Sequence, residues 1–139
     1  MNLSKVSYKI ACWAFIVVGL GHIATDLISP KTSEQIGYIN TMKELIITIV
    51  GTETNIYSFY QGFSLIMGLI LASYGLINLF FIRNNKTSLV PKNIFFLNIL
   101  VALVCMFLTV KYLFVVPIIL TGLAFFGFTL SFIQQKNQP

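Results

Sequence analysis

His22 and Asp26 stand four residues apart in Gly21-His22-Ile23-Ala24-Thr25-Asp26, which puts an imidazole and a carboxylate on one side of a helix. A carboxylate in that position fixes the ring's tautomer and prepares it as a proton donor, a proton acceptor or a metal ligand. The pair falls near the end of a long apolar run, where ionisable groups are costly and so raise a functional hypothesis. Two readings stand side by side. In one, His22 and Asp26 are catalytic candidates forming an acid–base pair; in the other, His22 bonds a neighbouring helix and Asp26 caps the run near water. With one histidine and neither cysteine beside it, no metal site is expected. No complete catalytic signature and no cofactor-binding motif occurs in the chain, so no cofactor is expected.

The elements that must hold this pair are four apolar runs, at about residues 8–28, 56–82, 94–110 and 113–133. About 20 apolar residues suffice to cross a bilayer core as a helix. The 139 residues are 57% hydrophobic and only 9% charged, against roughly a quarter charged in soluble domains, and mean hydropathy is +0.87. The expected fold is all-α: a polytopic membrane protein forming one domain over residues 1–139, an up-and-down four-helix bundle. The first run is longer than a signal-peptide core and ends in Ala24-Thr25-Asp26-Leu27, no small-residue cleavage site, so it reads as a retained helix.

Charge placement sets the orientation. Nine Lys and Arg oppose four Asp and Glu. Lys5, Lys9, Arg83, Lys86, Lys92 and Lys136 gather at one side of the runs. Asp26, Glu34, Glu44 and Glu53 all lie on the other, with only Lys31 and Lys43 in that first long loop. The positive-inside rule then predicts cytoplasmic N- and C-termini and an extracytoplasmic first loop. The basic balance is explained by topology and anionic lipid heads, and a nucleic-acid partner is not expected. The sequons at Asn2 and Asn85 fall on the cytoplasmic side and read as chance matches.

Between the first two spans, Ile39, Met42, Leu45, Ile46, Ile49 and Val50 recur at steps of three and four, predicting a short amphipathic helix over residues 39–50. Thr41 and Glu44 have capping-box spacing, and Gly51 suits a terminator. This helix is expected either to lie on the membrane surface or to fold over the mouth of the bundle. Gln61, Ser64, Gly68, Gly75 and Asn78 share one face of span two; Asn98, Ala102, Cys105 and Thr109 do so on span three. Small and polar residues so arranged let helix backbones approach. Asn78 and Asn98 are expected to lock spans two and three together, and Pro117 to kink span four. Cys12 and Cys105 should sit about 6 Å and 18 Å from the same side of the bilayer, too far apart in depth for a disulfide. Trp13 and Lys9 read as interface anchors.

By height, His22 and Asp26 should share the extracytoplasmic end with Glu53, Tyr57, Gln61, Lys111 and Tyr112, and these seven form the predicted ligand-binding set. The stretch Gly21-His22-x-x-x-Asp26, with Met42, Gly51 and Tyr57-Ser58-Phe59-Tyr60-Gln61-Gly62-Phe63-Ser64-Leu65, resembles an uncharacterised family of small bacterial four-helix integral membrane proteins. The likeness covers about residues 19–79. Many relatives carry an Arg-Ser pair and a Trp before the Phe-Tyr, where this chain has Thr54-Asn55 and Tyr57. The resemblance implies a multi-pass protein of a bacterial inner membrane and brings no activity with it. In size and helix count the chain is also similar to the EXPERA group of sterol isomerases and sterol-binding receptors. It lacks that group's buried carboxylates in spans two to four, which leaves only the binding half of the analogy. The glutathione-using four-helix enzymes of eicosanoid metabolism share the size, but their arginine-rich site has no counterpart, the sole arginine being Arg83.

Three functions follow as expectations. The favoured one is a non-enzymatic bundle that binds a lipid or small apolar ligand near the outer leaflet, an apolar interior crowned by few polar groups being the usual composition of such a site. The second is a membrane enzyme or proton-coupled carrier using His22 and Asp26. The third is an accessory subunit of a larger membrane complex or a homo-oligomer, packing through the Ser64, Gly68, Ala72 stripe.

Overall fold

The computed structural model describes residues 3–84 and 90–136. Lys86 and both sequon asparagines, Asn2 and Asn85, lie outside the described residues. Four long helices carry the fold: α1 (Leu3–Ile28), α3 (Ile56–Asn84), α4 (Lys92–Tyr112) and α5 (Val115–Lys136). Between α1 and α3 come a short helix, α2 (Ser33–Glu44), and two strands, β1 (Ile46–Ile49) and β2 (Thr52–Asn55). The long helices have 26, 29, 21 and 22 residues and are apolar enough to cross a membrane. The protein is a multi-pass, mostly all-α membrane protein.

α1 is the axis of the bundle. Its backbone approaches α3 on one side and α5 on the other, while α4 packs on α5. Glycines set these approaches. A Cβ on Gly19 would collide with the Gly68 carbonyl and Ala72, one on Gly75 would come within 2.6 Å of the Cys12 carbonyl, and one on Gly127 within 2.9 Å of the Ser7 carbonyl. The predicted Ser64, Gly68, Ala72 stripe is therefore spent inside the chain, against α1, and is not a free surface for a partner.

The two ends of the bundle differ. At the end bearing the chain termini, Tyr8, Phe15, Phe95 and Phe128 are fully buried, with Tyr8 edge-on to Phe95 (5.7 Å) and to Phe128 (5.0 Å). Among them lies a polar knot. Tyr8 Oη donates to Asn78 Oδ1 (2.7 Å), Asn98 Nδ2 donates to Tyr8 Oη and to Asn78 Oδ1 (2.8 Å each), Asn78 Nδ2 donates to the Tyr74 carbonyl (3.0 Å), and Tyr74 Oη donates to Asn98 Oδ1. The expected Asn78–Asn98 lock is present, and α1 enters it through Tyr8. Ser4 and Ser131 tie α1 to α5 by donating to each other's carbonyls at 2.9 and 2.8 Å. At the opposite, loop-bearing end, the buried residues are small: Val18, Gly19, Ser64, Gly68, Thr109 and Thr121.

The first loop departs from expectation. The helix begins at Ser33 and stops at Glu44, and residues 46–55 form an antiparallel hairpin with Ile46 opposite Asn55 and Ile49 opposite Thr52. Ile46-Ile47-Thr48-Ile49-Val50 is an unbroken β-branched run, and stiff branched side chains fit a pleated strand better than a helix. The helix starts at a different capping box, with Gln35 N donating to Thr32 Oγ1 and Thr32 N to Gln35 Oε1. Gly51 is a turn residue at φ +78°, not a helix terminator, and Val50 beside it takes φ +51°. Asn55 then caps α3, its Oδ1 accepting from Ser58 N at 2.8 Å.

Pro117 does not kink its helix. It lies in the first turn of α5, where its missing N–H leaves no bond unmade, and Thr121 Oγ1 donates to its carbonyl at 2.8 Å. The α4–α5 hairpin forms as expected, closed by Leu113 N donating to the Thr109 carbonyl and by a 2.9 Å bond between the Thr109 and Thr121 hydroxyls. Cys12 is buried, Cys105 is half-buried, and both are free thiols.

Candidate functional site

Helix register assembles the loop end. Gly19 meets Gly68 across the α1–α3 contact, and a Cβ on Gly68 would come within 2.7 Å of Ile23. One turn farther out, Asp26 on α1 and Ser64 on α3 reach the same level, and His22 occupies the adjoining face of the same stretch of α1. Asp26 and His22 are half-buried and Ser64 is 4% exposed.

His22 Nε2, Asp26 Oδ2 and Ser64 Oγ are buried atoms bonded to no protein group. Histidine and aspartate are therefore not joined through those two atoms, as a catalytic pair would be. Thr25 Oγ1 turns back to the Gly21 carbonyl at 2.7 Å, and the Thr25 carbonyl accepts from Lys31 Nζ at 3.2 Å, so this turn of α1 is satisfied along its exposed side only. A buried polar atom left without a partner costs about 1–3 kcal/mol. Each of the three leaves a hydrogen-bonding position open to a further polar group.

The other predicted residues divide. Tyr57 and Gln61, at the start of α3, are half-buried, and Lys43 Nζ of α2 sits 5.3 Å from the centre of the Tyr57 ring. Glu53 is exposed on β2 opposite Thr48. Lys111 and Tyr112 are exposed at the tip of the α4–α5 hairpin, where the ammonium lies 5.0 Å from the neighbouring ring centre. The structure thus draws His22 and Asp26 to one level with Ser64. It places Tyr57 beside α2, leaves Gln61 half-buried one turn farther along α3, and leaves Glu53, Lys111 and Tyr112 exposed. Ser64 is the residue that sequence reasoning assigned to packing alone; its spacing with Gly68 marked the face, and nothing in its type marked an unpaired hydroxyl.

α2 has no fully buried residue and leans on α3 and β2, with Ile39 and Met42 half-buried. Ile56 N donates to the Leu45 carbonyl at 3.0 Å and fixes the base of the hairpin to the top of α3. Two open clefts lie at the terminal end instead. One, of about 510 Å³, is bounded by Ile77, Phe80, Phe81, Asn84 and Pro91, and one of about 330 Å³ by Lys9, Trp13, Leu79, Phe80 and Arg83. Neither includes His22, Asp26 or Ser64. Among the described residues, no group of three or more His, Cys, Asp and Glu could hold a metal ion.

No family model matches the chain, and no curated protein or solved structure matches it.

Proposed function

We propose that the protein is a non-enzymatic membrane bundle that binds a lipid or small apolar ligand at its loop end. A polar group of the ligand meets His22, Asp26 and Ser64, and its apolar body lies between α3 and α4. One observation carries this reading. Every buried side-chain atom found without a partner among the described residues lies at that end, where no large apolar side chain is fully buried. α3 and α4 have almost no close backbone approach and are bridged through Tyr74, Asn78 and Asn98 at the far end, which leaves their loop-end halves as the entry side. In this reading the termini are cytoplasmic, the loop end faces outward from a bacterial inner membrane, and kinship with the small four-helix family adds lineage without mechanism.

Native mass spectrometry after mild-detergent extraction tests the proposal. The wild-type protein is expected to carry a bound lipid or apolar small molecule, and Ser64→Ala with His22→Ala to lose it while remaining folded. Wild-type protein that carries nothing would reject the reading.

A second reading uses the same residues as a proton-handling pair in an enzyme or carrier, favoured by the four-residue spacing of two half-buried ionisable groups. It requires that His22→Ala abolish a cellular phenotype of the gene while Ser64→Ala leaves it intact.

A further inference from the structure

The terminal end carries a second feature, independent of the loop-end proposal. Lys9 and Trp13 lie one turn apart on the exposed side of α1, and Leu79, Phe80 and Arg83 face them from the last turns of α3. The cleft between them holds about 330 Å³. Leu79 and Phe80 supply its apolar lining, Lys9 and Arg83 are its two cations, both exposed, and Trp13 is 54% exposed. None of the four acidic side chains is at this end: Asp26, Glu34, Glu44 and Glu53 belong to the outer turn of α1, to α2 and to β2. Lys9 and Arg83 thus line one cleft with no acidic side chain among the described residues to neutralise them.

We infer that this cleft is a specific site for an anionic phospholipid. The phosphate sits between Lys9 and Arg83, the glycerol region lies against the Trp13 indole, and an acyl chain runs over Leu79 and Phe80. The chemistry fits at each level. Guanidinium and ammonium groups recognise phosphate, the first through a bidentate fork and the second as a point charge. Indole prefers the interface between headgroup and hydrocarbon. Lysine bridges the depth difference by extending its stem toward the headgroups. A free phosphate ion would satisfy the two cations but would leave the apolar lining and the indole uncovered, which favours the lipid as occupant.

Trp13 is the sole tryptophan, so it reports on its own site. The full chain is placed in lipid nanodiscs containing brominated-chain phosphatidylglycerol or brominated-chain phosphatidylcholine at equal mole fraction, and Trp13 quenching is compared. The expected result is a preference of about five-fold for phosphatidylglycerol, the selectivity of roughly one well-placed cation. Lys9→Gln with Arg83→Gln should abolish it. Both side chains are exposed, and unchanged circular dichroism and thermal unfolding would verify that this variant folds. Lys92→Gln with Lys136→Gln removes the same charge from the same end and should retain the preference. Equal quenching by both lipids, equal loss in the two double variants, or displacement of phosphatidylglycerol by excess inorganic phosphate would overturn the assignment, the last by identifying a free-phosphate site.

Discussion

Single atoms decide where this bundle is tight and where it is incomplete. Gly75 lies so close to the Cys12 carbonyl that an added methyl would need α1 or α3 to move. Gly75→Ala is therefore expected to lower stability by about 1–3 kcal/mol, the usual cost of overpacking. Gly122→Ala, where a Cβ meets nothing within 4 Å, should be neutral or slightly stabilising. Unfolding in mixed micelles would separate the two. Asn98→Ala takes the acceptor from the Tyr74 hydroxyl and one bond each from Tyr8 and Asn78, which keep their bond to each other, and should cost about 1–2 kcal/mol by the same assay. A loss no greater than that from Gly122→Ala would show that the knot adds nothing. Residue types revealed much of this in advance. Asn78 and Asn98 had to find partners in a membrane, and small residues at helical spacing had to mark a packed face. What residue type could not reveal is which hydroxyl would end unpaired, because Ser64 and Thr121 look alike in sequence while only Thr121 has a carbonyl and a second hydroxyl in reach.

At the scale of elements, the long helices were legible and the first loop was not. A run of some twenty apolar residues admits one solution in lipid, since only a helix satisfies its own backbone there. Residues 39–50 carry no such constraint. Their steps of three and four suit a helix, while their β-branched side chains suit a strand, and the hairpin wins once Gly51 supplies a turn at positive φ. That turn is strained at Val50, a β-branched residue at φ +51°. Val50→Asn should relieve it, since Asn tolerates that region and Asn-Gly is the preferred pair for two-residue hairpins. Hydrogen exchange at the backbone amides of β1 and β2 should slow by about five-fold, equivalent to roughly 1 kcal/mol. Unchanged or faster exchange would indicate that the strain at Val50 is offset within the hairpin. Because α2 has no buried residue and the hairpin meets only α3 and α2 closely, Val50→Asn should not move the unfolding of the bundle itself.

For the whole molecule, the asymmetry of the two ends is the central finding. The terminal end combines buried aromatic rings, a closed polar knot and a serine pair, and the loop end combines small buried residues with three unpaired polar atoms. Charge follows the same axis, and the predicted orientation is checked by placing single reactive cysteines at Glu44 and Lys92 in a cysteine-free background. The first should react with an impermeant reagent on intact cells and the second only after permeabilisation. Overall shape follows from hydropathy, which acts over the whole chain. The site's composition follows from the exact register of α1 on α3, set by a few glycine contacts that hydropathy does not encode. The most direct test of the ligand-binding account is an experimental structure of the protein extracted with its native lipid. Ligand binding at the loop end requires non-protein density within hydrogen-bond distance of Ser64 Oγ and of His22 Nε2 or Asp26 Oδ2, continuing as an apolar body between α3 and α4. A loop end closed on itself, with those three atoms bonded to other protein groups and the space between α3 and α4 filled by side chains, would contradict it.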